Sequence, residues 1–117
     1  MHTKITKLND KAVMATCELS ELVRGHEAEL VERISPLVRQ QSVVLDMARV
    51  ERIDAAGIAT LISLYGLARD AGHCFMVSSP TAHVRELLTL VGLDRILLAQ
   101  NAAGIAELSP CMQLSAA

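Results

Sequence analysis

The chain has 117 residues, 51% of them hydrophobic, and a formal net charge of -2. That length suits one domain with one core, and the charges are interspersed, so no basic cluster is offered to phosphate and nucleic-acid binding is disfavoured. No apolar run approaches the roughly 20 residues that cross a bilayer, and the first residues lack the apolar core of a signal peptide, which gives a cytoplasmic protein with no direct membrane insertion as the expectation.

The aromatics are only Tyr65 and Phe75, so the core must be built from aliphatic side chains. Along the chain, residues 5–8 and 12–18 read as two strands, with Asn9, Asp10 and Lys11 as their turn. After Gly25, Val31, Ile34 and Val38 recur at helical spacing, and Pro36 is expected to kink or end that helix. Residues 42–47, with Val43, Val44 and Leu45, fit a strand buried on both faces. Asp54 is placed to cap a helix that runs to Ala71 and stops at Gly72. Ile58, Leu61, Ile62, Tyr65 and Ala68 are read as its core-facing stripe. Its opposite side carries the small residues Ala56, Ala59, Thr60, Ser63 and Gly66.

Residues 74–78 form a further predicted strand. Ser79 then caps, and Pro80 opens, a helix whose core side is Val84, Leu87, Leu88 and Val91 and whose end is Gly92. Residues 95–98 read as a last short strand, 102–108 as a final helical turn or two, and 109–117 as a flexible tail. Strands alternating with helices imply an α/β layer around a parallel or mixed sheet, without internal repeats or linkers.

Catalytic patterns are absent from the sequence. The four histidines are scattered without ligand spacing, and there is neither a nucleophile elbow nor a phosphate-cradling loop. Cys17, Cys74 and Cys111 form no C-x-x-C pair and are read as ordinary reduced thiols. Asp46, Glu51 and Asp54 are close in sequence, but a strand end, a loop charge and a helix cap explain them without an acid pair. The expectation is a protein that is not an enzyme and uses no metal or cofactor.

The segment Val43-Val44-Leu45-Asp46-Met47, followed by Ile53-Asp54-Ala55-Ala56-Gly57-Ile58, resembles the STAS family of anti-sigma-factor antagonists and the related domains of sulfate transporters. Ala71-Gly72 and Val91-Gly92-Leu93-Asp94-Arg95-Ile96 extend the resemblance over about residues 5–108. It implies a single STAS-like domain, with a four- to five-stranded mixed sheet flanked by helices and its function at the loop that opens the Asp54 helix. In family members switched by phosphorylation that loop reads Asp-Ser-Ser/Thr-Gly. A serine in it is phosphorylated by an anti-sigma kinase, which binds only the unmodified domain. A phosphate there brings roughly -2 charge beside the aspartate.

Here both hydroxyl positions are alanine, Ala55 and Ala56, and neither can accept a phosphate. If the docking mode is kept, the domain is expected to stay in its binding-competent form. The expected partner surface is Asp54, Ala55, Ala56, Gly57, Ala59, Thr60 and Ser63, because a helix face depleted of charge is typical of interface cores. The resemblance implies a bacterial signalling role in transcription regulation, with an anti-sigma kinase or similar ATPase-fold protein as partner. The alternative is the STAS subunit of a lipid-asymmetry ABC transporter, whose motif reads Asp-Thr-Ala-Gly and is matched by Ala56-Gly57 but not by Ala55. A homodimer through the apolar surface of this helix, and a small ligand such as a nucleotide or lipid, complete the readings left open.

Overall fold

In the computed structural model, which describes residues 4–98, the first hairpin joins β1 (Lys4–Asn9) to β2 (Ala12–Thr16). The Asn9 side chain accepts a hydrogen bond from the Lys11 backbone N–H at 2.8 Å and holds the turn. After β3 (Glu21–Leu22) comes α1 (Glu27–Gln40), then β4 (Ser42–Asp46), β5 (Arg52–Ile53) and α2 (Ala55–Asp70). The chain continues through β6 (Phe75–Ser78), α3 (Ala82–Leu90) and the single turn α4 (Asp94–Leu97).

The main sheet is mixed and four-stranded, in the order β1-β2-β4-β6, with β1 antiparallel and the other neighbours parallel. β4 is the inner strand, and Val43, Val44 and Leu45 are all buried, as a strand covered on both faces requires. Val43 and Leu45 join the main core with Leu30, Ile34 and Val38 of α1 and Leu61, Leu64 and Ala68 of α2. Val44 points the other way and packs with Ala12 and Cys74 in a smaller cluster bordered by Leu8, Met14 and Met76.

Several sequence expectations are corrected. α1 buries Leu30 rather than Val31, and it runs through Pro36 to Gln40. Pro36 forfeits one backbone hydrogen bond, to the carbonyl of Glu32, and both residues face solvent, where water can serve that carbonyl. α2 buries Gly57, Thr60, Leu61, Leu64 and Ala68, so Ile62 lies outside the core at 48% exposure.

Ser79 does not cap α3. It has φ +52°, and Thr81 is the N-cap, with its hydroxyl donating to the Val50 carbonyl at 2.9 Å. Val91 is half exposed at the end of α3 rather than in its core stripe. The expected last strand is the helical turn α4, with Leu98 making only a parallel bridge to Val77. So short an apolar run carries no periodicity that separates helix from strand. Cys17 is a free buried thiol, whereas Cys74 is disulfide-bonded, which removes cysteine usage as support for a reducing compartment. The helical turn and tail expected over 102–117 lie outside the described residues.

The short pair β3–β5 had no sequence signal, because two residues are too few for alternation to register. It forms a separate parallel sheet with Glu21 opposite Arg52 and Leu22 opposite Ile53. This pair sets where α2 begins.

Candidate functional site

The chain leaves β4, turns through Met47–Val50, and is caught by β3. Glu51 N–H donates to the Ser20 carbonyl at 2.7 Å, and Arg52 carries a 3.4 Å ion pair to Glu21. Asp54 follows in extended conformation and caps α2, accepting the Gly57 N–H at 3.0 Å. Its other carboxylate oxygen accepts the backbone N–H of Arg24, also at 3.0 Å, thirty residues earlier in the chain. One side chain therefore ties the start of α2 to the loop that follows β3.

These N–H groups, Arg24 first and Gly57 second, hold the Asp54 carboxyl below its ordinary value, because each favours the charged form. Held down in this way, the carboxylate is ionised at neutral pH.

Gly57 is the tightest point of this corner. A Cβ there would overlap the Leu22 carbonyl oxygen, lie 2.6 Å from Ile53 Cγ1 and lie 3.1 Å from Leu22 Cγ. Glycine lets the first turn of α2 rest directly on β3 and β5. Gly57 thus belongs to the buried side and positions the surface rather than forming it.

The remaining predicted residues divide by face. Ala55, Ala59 and Ser63 are exposed, Ala56 is half-buried, and Thr60 is buried with its hydroxyl donating to the Ala56 carbonyl at 2.9 Å. At 100° per residue, the exposed Ala55, Ala59, Ile62 and Ser63 share one stripe with the half-buried Gly66. No charged side chain interrupts α2 before Arg69.

Two residues of this region were missed from the sequence. Ile62 was detectable by anchoring the helical wheel on Gly57, Leu61, Leu64 and Ala68. Arg24 was not, since a backbone N–H leaves no trace in residue type.

Elsewhere, burial pushes the Cys17 thiol up from its ordinary value, which suits a core residue and not a nucleophile. Among the described residues there is no cluster of His, Cys, Asp or Glu able to hold a metal ion. Among them, too, no helix is long and apolar enough to cross a membrane.

A mixed sheet with helices on one face, and an Asp-capped helix rising from the strand-end loops, defines a STAS-type domain. The family model described as "Mlab, STAS domain" matches residues 15–99, and the chain belongs to that family. Solved structures share the fold. A Thermotoga maritima protein assigned as an anti-sigma factor antagonist superposes with a TM-score of 0.76 at 19% identity, covering 92% of this chain and 94% of that one. The unphosphorylated anti-sigma factor antagonist SpoIIAA, a Bacillus cell fate determinant, gives 0.70 at 16% identity, covering 93% and 97%. The murine anion transporter Slc26a9 gives 0.71 at 13% identity over 93% of this chain, but only 22% of the transporter is covered. At such identities these likenesses speak for the fold alone.

Proposed function

We propose that this chain is a non-enzymatic protein-interaction module that docks an ATPase-type partner through the exposed stripe of α2, without a phosphorylation switch at its opening loop. The observation that carries this is the composition of the stripe. Ala55, Ala59, Ser63 and Gly66 let another backbone approach, Ile62 stands among them as an exposed apolar side chain, and charge is lacking until Arg69. A solvated helix face ordinarily carries Lys, Glu or Arg, whereas depletion of charge marks interface cores. Ala55 and Ala56 offer no hydroxyl, so docking there is constitutive.

Two partners fit. The family match supports the STAS subunit of an ABC-type lipid transporter, docked on its ATPase. The shared fold of the antagonists supports an anti-sigma kinase instead, with a sigma factor freed as the outcome. The test is a pull-down from native lysate with the wild type and with Ala59→Glu, followed by reconstitution with the purified candidate ATPase. Binding to a transporter ATPase that Ala59→Glu abolishes supports the first partner. The same result with an anti-sigma kinase, plus ATP-dependent phosphorylation and release of Ala55→Ser, supports the second. Undiminished binding by Ala59→Glu refutes docking through this stripe.

A further inference from the structure

The sheet has two faces, and the helices account for one of them. α1, α2, α3 and α4 all send buried side chains into the main core with Val13, Ala15, Val43, Leu45 and Val77. Strand alternation turns Ala12, Val44 and Cys74 to the other face, where they form the second cluster. Among the described residues no helix contributes to that cluster, and only Leu8, Met14 and Met76 of the sheet border it. Nevertheless Ala12 and Val44 are 0% exposed and Cys74 is 1% exposed. Flanking strands stand beside such side chains rather than over them, so burial this complete requires a covering layer.

Cys74 identifies the cover. It is disulfide-bonded, while Cys17 is a free thiol. The chain has three cysteines, which leaves Cys111 as the partner within it. The described chain ends at Leu98, whose bridge to Val77 sets it against β6, the strand that follows Cys74. From Leu98 to Cys111 the extended chain reaches about 43 Å, whereas crossing the four strands takes only about 15 Å. Residues 99–117 also suit an apolar surface. Their single charged side chain is Glu107, and Ile105, Leu108, Cys111 and Met112 recur at helical spacing.

We infer that residues 99–117 are the layer over the helix-free face of the sheet, and that a Cys74–Cys111 disulfide locks them there as a redox-controlled cover. Closing the bond removes two electrons and two protons from the two thiols and passes them to a small disulfide, which leaves as two thiols. A dithiol reverses the exchange and is itself oxidised to a disulfide. Without the bond, apolar contacts alone must hold the segment against its regained chain entropy. The cover then lifts and bares a strip of Ala12, Met14, Val44 and Met76. This face lies across the sheet from α2, so the inference is independent of any partner docked there.

The full chain, oxidised with glutathione disulfide, is alkylated in denaturant and digested without reductant. A monomer should yield Cys74 linked to Cys111, with Cys17 alkylated. Linkage of Cys74 to Cys17 or to a second copy of the chain overturns the inference, as does recovery of Cys74 as a thiol. Native alkylation of Cys111→Ser then reads the cover, with the core thiol Cys17 as internal standard. Cys74 should label about 10-fold faster than Cys17 or more. Wild type reduced with dithiothreitol should behave alike, which keeps the test decisive if the variant does not fold. Cys74 as protected as Cys17 after reduction overturns the lock. In the oxidised, methyl-labelled chain, Met14 and Met76 should show Overhauser contacts to Ile105 or Leu108 that reduction removes. Their absence before reduction refutes residues 99–117 as the cover.

Discussion

Replacing Gly57 with alanine tests how the surface is positioned. On an isolated helix the change would be favourable by about 1 kcal/mol. Here the new methyl meets a backbone oxygen, Leu22 O, and the buried Ile53 Cγ1 at 2.6 Å. Neither is the free end of a flexible side chain, so α2 has to lift from β3 and β5. Over-packing of a close core costs about 1–3 kcal/mol, and a backbone contact places this case at the upper end. Net destabilisation is then about 2 kcal/mol, a fall in Tm of roughly 8–16 °C for a domain of this size.

Gly66 lies in the same helix with open space around its would-be Cβ. Gly66→Ala receives the same propensity gain without the clash and should raise Tm by roughly 4–8 °C. Thermal unfolding followed by far-UV circular dichroism measures both. Because intrinsic propensity cancels between the two variants, their difference isolates the contact with Leu22 and Ile53. A Gly57→Ala protein as stable as the wild type, or more so, would refute the close approach of α2 to β3 and β5.

The other expectations concern charge, thiol reactivity and core. Asp54 has a lowered folded value, so its contribution is fully present above the ordinary carboxylate range and is lost as pH falls through that folded value. The stability advantage of wild type over Asp54→Asn should therefore be constant near neutrality and shrink in acid, and an advantage that grows on acidification would contradict the hydrogen bonds drawn here. Cys17 is fully buried with a raised thiol, so its peptide should resist alkylation in native protein and label readily in denaturant, as read by mass spectrometry. Leu61→Ala should cost about 2–5 kcal/mol in chemical denaturation. Ile62→Ala, next to it but half exposed, should cost under about 1 kcal/mol while weakening partner binding.

What could be read from the sequence follows from how far each signal reaches. Asp54 as a cap and the doubly buried run Val43–Leu45 are local patterns, and both appear in the structure. Gly72 and Gly92 end their helices with φ +78°, another local property. The misplacement of Ile62 and Thr60 came from choosing the wrong centre for a helix that is apolar nearly all round. Leu64 and Leu67 could extend an apolar stripe toward either side, and only the contact of Gly57 with Leu22 settles the rotation. Residues 95–98 had the composition of a strand but too few residues to display a period. The pairing of β3 with β5 joins segments about thirty residues apart through backbone groups, and Asp54 reaches a backbone N–H at Arg24, so residue identity does not encode either pairing.

The rotation of α2 links fold and site in one step. Gly57 on the inner side lets Leu22 sit against the helix, and that places the end of β3 within reach of Asp54. The same rotation turns Ala55, Ala59, Ile62 and Ser63 outward and takes Thr60 in. A hydroxyl at position 55 would stand on the exposed side beside the Asp54 carboxylate, whereas one at position 56 would start half-buried. Phosphate accepted at 55 would thus bring like charge to the side chain that ties the β3–α1 loop to the start of α2. Alanine at this position keeps that junction free of such a perturbation.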